Sequence, residues 1–449
     1  MPKKISNLKI SVSGVRGVVG ETLTPKLISS FSAAFGRYVG PGPVVIGRDT
    51  RPTGQMVEQA VLAGLLSVGC QPVLAGVIPT PTVQVLVDRY QAVGGIAITA
   101  SHNPMSWNAM KFINGKGMFL GALEASQVLD IYNQESEVSV PEEDIPLVKK
   151  VDEPFAEHEN RIYKEVDLPL IRQKKFKVAM DCGNGAGAPF SKSFLENLGC
   201  EVVLIHDEMD GRFRRKPEPI PENLSILAEV VKKEKCDIGF AQDPDADRLV
   251  LVDNNGVALN ENYTLALAVK HILQKSPSPV TINLGTSKMI QDIVEEAGQT
   301  LHLTKIGEIH VSTAMLENGS AIGGEGNGGV IYPAVRACRD SFTGMALALE
   351  LLATTGKTVA ELVDSMPKYY GTTKKITMSS DRIKKLLSAV KEKYEHLTPI
   401  TLDGVRLTWP DKWIIFRASN TEPIIRIQAE ASSEDDLVKL LEEFDEFCQ

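Results

Sequence analysis

Three aspartates fall at alternate positions in one short stretch, Asp243-Pro244-Asp245-Ala246-Asp247-Arg248. At i, i+2 and i+4 an extended turn can aim three carboxylates at one point, where they repel unless a divalent cation lies between them. The flanks, Phe240 and Leu249-Val250-Leu251, read as buried strand, which argues against a solvated acidic loop. The stretch is not an EF-hand: its sixth position is Arg248 rather than Gly, and its twelfth is Asn254 rather than Glu. Few ligands, all hard oxygens, favour Mg²⁺ and phosphoryl chemistry, with water or phosphate completing the shell.

Three other loops carry groups of the same kind. Ser101, in Thr99-Ala100-Ser101-His102-Asn103-Pro104, is a nucleophile candidate beside a histidine. It lacks the G-x-S-x-G elbow of the α/β-hydrolases, and taken alone it also reads as a turn built from Ser, Asn and Pro. Gly324-Glu325-Gly326-Asn327-Gly328-Gly329 lets backbone approach a ligand closely, and the Glu325 carboxylate suits two adjacent sugar hydroxyls. Arg417-Ala418-Ser419-Asn420-Thr421-Glu422-Pro423 combines a guanidinium, hydroxyls and turn amides, the makings of a phosphate cradle. A fifth loop, Gly183-Asn184-Gly185-Ala186-Gly187-Ala188, fits the G-x-G-x-x-A dinucleotide pattern, with Asp207 downstream. It supports a remote alternative, an NAD(P)-dependent oxidoreductase.

The elements that must position these loops repeat. Val44–Asp49, Lys177–Gly183 and Val280–Gly285 are short apolar strands, each followed by a helix, a glycine stop and a second strand. The helices are expected at Gln55–Val68, Phe190–Leu198 and Met289–Ala297. Such units build largely parallel sheets with right-handed crossovers. A later strand in each copy leads into the serine loop, the aspartate loop and the Glu325 loop, and ligands of open α/β sheets bind beyond such strand ends. The tail differs, with a helix over Asp381–Tyr394, strands, and a capping-box-like start at Ser433. The expected fold is therefore α/β: three strand–helix–strand domains (1–150, 151–258 and 259–368) and a smaller α+β domain (369–449) around a central cleft.

Composition bounds the function. The chain has 449 residues, with 43% hydrophobic and 23% charged, which suits several ordinary globular domains rather than a disordered chain. The net charge of −9 argues against a nucleic-acid partner. The basic run Arg212-Phe213-Arg214-Arg215-Lys216 precedes Pro-Glu-Pro and reads as a loop. No apolar run approaches membrane-helix length, and the start, Met1-Pro2-Lys3-Lys4, has no signal-peptide core. Six cysteines without CxxC spacing suit a reducing cytosol.

In order, and over essentially the whole chain, the four loops resemble those of the α-D-phosphohexomutase superfamily. The resemblance implies a phosphoserine at Ser101, a Mg²⁺ site of Ser101, Asp243, Asp245 and Asp247, a sugar loop with Glu325 and Asn327, and a phosphate loop with Arg417, Ser419, Asn420 and Thr421. Arg16, in Ser13-Gly14-Val15-Arg16-Gly17, and Lys111, in Asn108-Ala109-Met110-Lys111-Phe112, match family positions facing the site. Arg248 joins the catalytic set, and Lys305 and Arg426 the substrate-binding set. The implied partner is a small sugar phosphate, handled by a monomer or homodimer in the cytoplasm. Its phosphoryl exchange with Ser101 runs through a hexose 1,6-bisphosphate, with Lys111 or His102 as general acid/base. There are departures: Ala109 replaces the usual Gly, Asn327 replaces a common Ser, and Lys305–His310 keeps part of the third-domain pattern. The Gly-Glu-Gly-Asn-Gly-Gly loop resembles a branch usually taken to act on glucosamine phosphate. Asn420, where bacterial members of that branch mostly carry Gly, resembles the mannose- and glucose-phosphate enzymes.

Overall fold

The computed structural model describes residues 8–11, 14–134, 139–419 and 423–448, so Ser13, Asn420, Thr421 and Glu422 of the readings above lie outside the described residues. The chain forms two compact units, residues 1–264 with 328–360 and residues 265–327 with 361–449.

In the first unit, strand Pro43–Arg48 is fully buried along Val44, Val45 and Ile46. A near-continuous apolar run is what a central parallel strand under helices requires. It pairs in parallel with Gly94–Ile98 and Gln71–Val77, and the antiparallel strand Trp107–Asn114 follows Gly94–Ile98 in the sheet. Phe31, Phe35, Ile96 and Phe112 fill the layer between this sheet and its helices. The second repeat builds its own sheet, in the order Leu249–Val252, Ile238–Gln242, Lys177–Asp181 and Glu201–Ile205. Helix Ser341–Thr355 is buried along nearly its whole length, Glu350 included. That carboxylate accepts from the backbone N–H of Asp167 at 2.8 Å, so the buried charge caps a neighbouring helix start.

The repeat expected from the sequence is present. Helices Gly54–Ser67, Ala188–Asn197 and Lys288–Glu296 occupy the anticipated places. They stop at Gly69, Gly199 and Gly298, with φ of +78°, +85° and +64°. Each glycine N–H reaches a carbonyl three residues back, in a conformation that a Cβ would strain.

In the second unit, Val280–Asn283 lies between the parallel strands Leu301–Thr304 and Ile322–Glu325. The tail is an antiparallel sheet in the order Tyr370–Thr377, Ile424–Ala431, Lys412–Ala418 and Val405–Thr408, packed under helices Ser380–Lys393 and Glu434–Cys448. The strand Tyr370–Thr377 is absent from the sequence reading, because it is a largely exposed edge strand with no apolar alternation to betray it. The tail sheet is fastened to the end of strand Val280–Asn283. Glu430 accepts from the Lys288 backbone N–H at 2.7 Å and from the Trp413 indole at 2.8 Å. Arg406 stacks on Trp413 at 4.4 Å and donates to the Leu284 carbonyl at 2.8 Å, and burial lowers its guanidinium to about 10. No helix among the described residues is long and apolar enough to cross a membrane.

Candidate active site

The serine and aspartate loops meet in the first unit. Ser101 follows strand Gly94–Ile98 by three residues and takes φ +47°, a left-handed conformation costly for a side chain. Its Oγ donates to Asp243 Oδ2 at 2.9 Å and lies 3.4 Å from His102 Nδ1. Burial, aided by Arg248 and Arg16, lowers His102 to about 3, so the ring is neutral at pH 7.

Asp243, Asp245 and Asp247 are each at most 1% exposed, and one oxygen of each lies within 4.8 Å of the others. Their outer oxygens are spoken for. Asp243 Oδ1 accepts the backbone N–H groups of Asp247 and Arg248 at 3.1 and 3.2 Å. Asp245 Oδ2 accepts from Lys111 Nζ at 2.5 Å and Thr80 Oγ1 at 2.9 Å, and Asp247 Oδ2 from Arg339 at 2.5 Å. By contrast, Asp245 Oδ1 and Asp247 Oδ1 are buried and accept no hydrogen bond among the described residues. Burial, with Asp245 and Asp247 alongside, holds the Asp243 carboxyl well above the usual range. Burial, the largest single influence, would raise Asp245 too, but the Lys111 ammonium together with hydrogen bonds from Asp243, Lys111 and Thr80 outweighs it and holds that carboxylate ionised. Orphaned, buried carboxylate oxygens in a cluster of three aspartates, one of which meets Ser101 Oγ, fit a hard divalent cation such as Mg²⁺.

Arg16 joins the same cluster, donating to Asn103 Oδ1 at 2.6 Å. Arg248 approaches Asp247 at 3.8 Å and Glu218 at 3.6 Å. Thr80, Arg339 and Ser341, whose Oγ donates to the Ala246 carbonyl at 2.6 Å, hold the aspartate loop. None stands out in the sequence. A threonine before Pro81 and a run of two arginines around Ala337-Cys338 carry no signal until the chain has folded them there.

The second unit gathers the other candidates. Glu325 is buried, and its Oε1 accepts from Asn283 Nδ2 at 2.7 Å and the Gly307 N–H at 2.9 Å. Asn327 has its Oδ1 buried without a donor among the described residues. His310 feels Lys305, Arg417, Asp403 and Glu325, and burial, followed by Lys305, pushes its imidazole down. Lys305 is exposed, whereas Glu308 is buried in the first turn of helix Glu308–Asn318. Arg417 pairs with Asp403 at 2.7 Å, a residue that sequence reading missed. Arg417 and Arg426 stand directly opposite on adjacent strands, an arrangement of like charges that an anion would relieve. Ser419 closes its turn with an N–H to the Ile424 carbonyl at 3.0 Å. Asn420 and Thr421 lie outside the described residues.

The dinucleotide reading is corrected by the packing of its own glycines. A Cβ on Gly185 would stand 2.6 Å from the Pro244 carbonyl oxygen, and one on Gly187 would stand 2.1 Å from Gln242 Oε1. The Ala186 N–H already donates to the Pro244 carbonyl at 2.7 Å. The glycines are there to seat the aspartate loop, and an amide a pyrophosphate would need is already taken.

Comparison with known proteins agrees with this geometry. Residues 7–139, 156–256 and 260–370 match the family descriptions phosphoglucomutase/phosphomannomutase alpha/beta/alpha domains I, II and III, and residues 359–447 match its C-terminal domain. A phosphoglucomutase/phosphomannomutase of Thermococcus kodakarensis is 38% identical, over 96% of this chain and 97% of that protein. A probable phosphoglucosamine mutase of Methanopyrus kandleri is 36% identical, over 96% of each chain. The crystal structure of a phosphoglucomutase/phosphomannomutase family protein from Burkholderia thailandensis aligns with a TM-score of 0.85 at 26% identity, covering 98% of this chain and 97% of that one. The chain belongs to the phosphoglucomutase/phosphomannomutase family of the α-D-phosphohexomutase superfamily, and it is an isomerase of phosphosugars.

Proposed function

We propose that Ser101 Oγ carries the phosphoryl group and that the favoured reaction converts glucosamine 6-phosphate to glucosamine 1-phosphate. The observation that carries the reading is Ser101 Oγ at 2.9 Å from Asp243, in a strained loop beside two buried carboxylate oxygens without donors. Asp243, Asp245 and Asp247, with Ser101, would hold a Mg²⁺ ion, which would supply positive charge for phosphoryl transfer.

The chain's own residues do the rest. A sugar hydroxyl attacks the phosphorus of phospho-Ser101, the new P–O bond forms as the P–Oγ bond breaks, and the hydroxyl proton passes to the neutral His102 imidazole, while the Lys111 ammonium stays on Asp245 and offsets the charge of the transferring group. Arg16 and Arg248 balance charge around the loop. The product is a hexose 1,6-bisphosphate. After it turns over, its other phosphoryl group returns to Ser101 Oγ and the proton goes back to the sugar oxygen. Arg417 and Arg426, with Ser419, Asn420, Thr421 and Lys305, anchor the phosphate that is not reacting. Glu325 accepts from ring hydroxyls common to both orientations, with Asn327 beside it. A carboxylate reading the 3- and 4-hydroxyls leaves C2 weakly read, so the preference is a matter of degree.

The enzyme needs no macromolecular partner in this reading. It works as a monomer or homodimer in the cytoplasm, a reducing compartment that suits its buried cysteines. The test compares kcat/KM for glucosamine, mannose and glucose phosphates, with Mg²⁺ and the matching 1,6-bisphosphate, alongside intact mass of Ser101. Glucosamine phosphate should rank first. A higher value for mannose or glucose phosphate overturns the substrate assignment and leaves the mutase intact. An enzyme turning over without ever carrying phosphate on Ser101 overturns the phosphoserine assignment.

A further inference from the structure

The three repeats end their first strands alike. Asp49 follows Pro43–Arg48, Asp181 ends Lys177–Asp181, and Asn283 ends Val280–Asn283. Arg48 is in register with Ile98, which sets Asp49 beside Thr99, two residues before Ser101. Asp181 is in register with Ala241, two residues before Asp243. Asn283 bonds Glu325, two residues before Asn327. Each repeat therefore places a polar strand end at the root of the loop that carries its chemistry.

In the first two repeats that strand end holds an arginine. Arg51 is 1% exposed and commits all five of its donors. Nε meets Asp49 at 3.0 Å, one terminal nitrogen meets the carbonyls of Pro104 and Trp107 at 2.7 and 3.1 Å, and the other meets those of Ser101 and Asn103 at 2.6 and 2.8 Å. Thr99 Oγ1 donates to Asp49 at 2.7 Å and accepts the Ser101 N–H at 3.0 Å. The brace thus grips Ser101 at both its amide and its carbonyl, on either side of the strained φ. Phe213, from the basic run read from the sequence as a loop, covers the guanidinium at 4.9 Å. Arg215, from the same run, meets Asp181 at 2.8 Å and the Gln242 carbonyl at 2.5 Å, with its remaining terminal nitrogen on the Lys216 and Pro217 carbonyls at 3.1 and 3.2 Å. It does for the residue before Asp243 what Arg51 does for Ser101.

We propose that Arg51 and Arg215 are paired positioning residues that fix the phosphoryl-carrying serine and the aspartate loop in reacting geometry without touching substrate. The proposal rests on the phosphoserine reading above. A planar five-donor fork can hold several carbonyls at once, and a lysine at the same place cannot. A purely structural pair would need only the aspartate.

The experiment uses the full-length enzyme and hexose 1,6-bisphosphate as probe, following phosphate arrival on dephosphorylated Ser101 by intact mass. Arg51→Lys keeps a cation beside Asp49. It should slow loading and lower kcat together, on the order of a hundredfold, as misplacement by about 1 Å does. KM for the sugar phosphate should stay within about threefold, because substrate contacts are untouched. Arg215→Lys should show the same split. Thr99→Val, which removes only the relay hydroxyl, should cost roughly tenfold in loading on the same scale, and it serves as the decisive variant if Arg51→Lys does not fold. Wild-type loading and kcat per folded molecule in the variants, with stability alone reduced, overturns the proposal. A wild-type enzyme that takes no phosphate at Ser101 overturns the phosphoserine reading, and this proposal with it.

Discussion

The residue clusters of the two units are built to different standards. Around Ser101 and the aspartates the functional groups are almost fully buried, and their outer oxygens are tied by short hydrogen bonds to Lys111, Thr80 and Arg339. Around Arg417 and Lys305 the cations are half-buried or exposed, and one ion pair with Asp403 is the main tie. Bond-making demands donors fixed before the charge develops. In the proposed reaction, gripping a sugar phosphate in two orientations demands side chains that can reach either one, so the proposal assigns bond-making to the rigid cluster and gripping to the looser one.

That contrast can be broken by substitution. The largest effect should come from Ser101→Ala, which removes the oxygen proposed to carry phosphate. Turnover should vanish while the fold and thermal midpoint persist, and retention of more than about a hundredth of wild-type kcat, some 2.7 kcal/mol, would refute the role. Next comes the metal. EDTA should abolish activity, Mg²⁺ should restore it, and Asp245→Asn should lower kcat on the order of 10²–10³-fold and blunt the Mg²⁺ response. Full activity in chelator would sink the assignment.

The second unit's cluster should respond more softly. Arg417→Ala would remove the proposed charge-assisted contact to the non-reacting phosphate, worth roughly 1.5–3 kcal/mol, so KM should rise about 10- to 150-fold. Free 1,6-bisphosphate should also accumulate during turnover as it escapes before reorienting. If Arg417→Ala instead matches Asp245→Asn in kcat with KM unchanged, the division of labour is wrong. The smallest catalytic effect should come from Asp340→Asn. Asp340 pairs with buried His158 at 2.9 Å and caps helix Ser341–Thr355 through the Phe342 and Thr343 N–H groups. Burial works to raise its carboxyl, but His158 and these hydrogen bonds hold it below the usual range. A lowered folded value gives stability that is complete above the ordinary carboxylate range near pH 4 and lost as pH falls through the folded value. Asp340→Asn should therefore cost about 3–5 kcal/mol at neutral pH and flatten the acid limb of the melting curve, with kcat per folded molecule unchanged. An unaltered acid limb would contradict the pairing.

The sequence disclosed what lies close along the chain. Three aspartates within five residues, a serine before His-Asn-Pro and glycine-stopped helices are local patterns, and each appears in the structure at the anticipated place. What it concealed comes from far away. Arg339 reaches Asp247 across 92 residues and Thr80 reaches Asp245 across 165, distances at which residue type alone says nothing. Arg51 left a faint trace, since two arginines and an aspartate directly after a buried strand need partners. The glycines at 183–187 misled because a glycine shows only that something comes close, and here that something is the chain's own Pro244.

The interrupted first unit has a consequence for the newly made chain. Its final segment, residues 328–360, is synthesised only after the stretch 265–327 that belongs to the other unit. At about 5–20 residues per second, the interval between Asp247 and the arrival of Arg339 is roughly 5–20 s. During that interval the aspartate turn exists without its Arg339 clamp and without helix Ser341–Thr355 to cover it. Ser101 emerges earlier still, yet the aspartate turn that its Oγ meets gains its last clamp only when most of the polypeptide has been made.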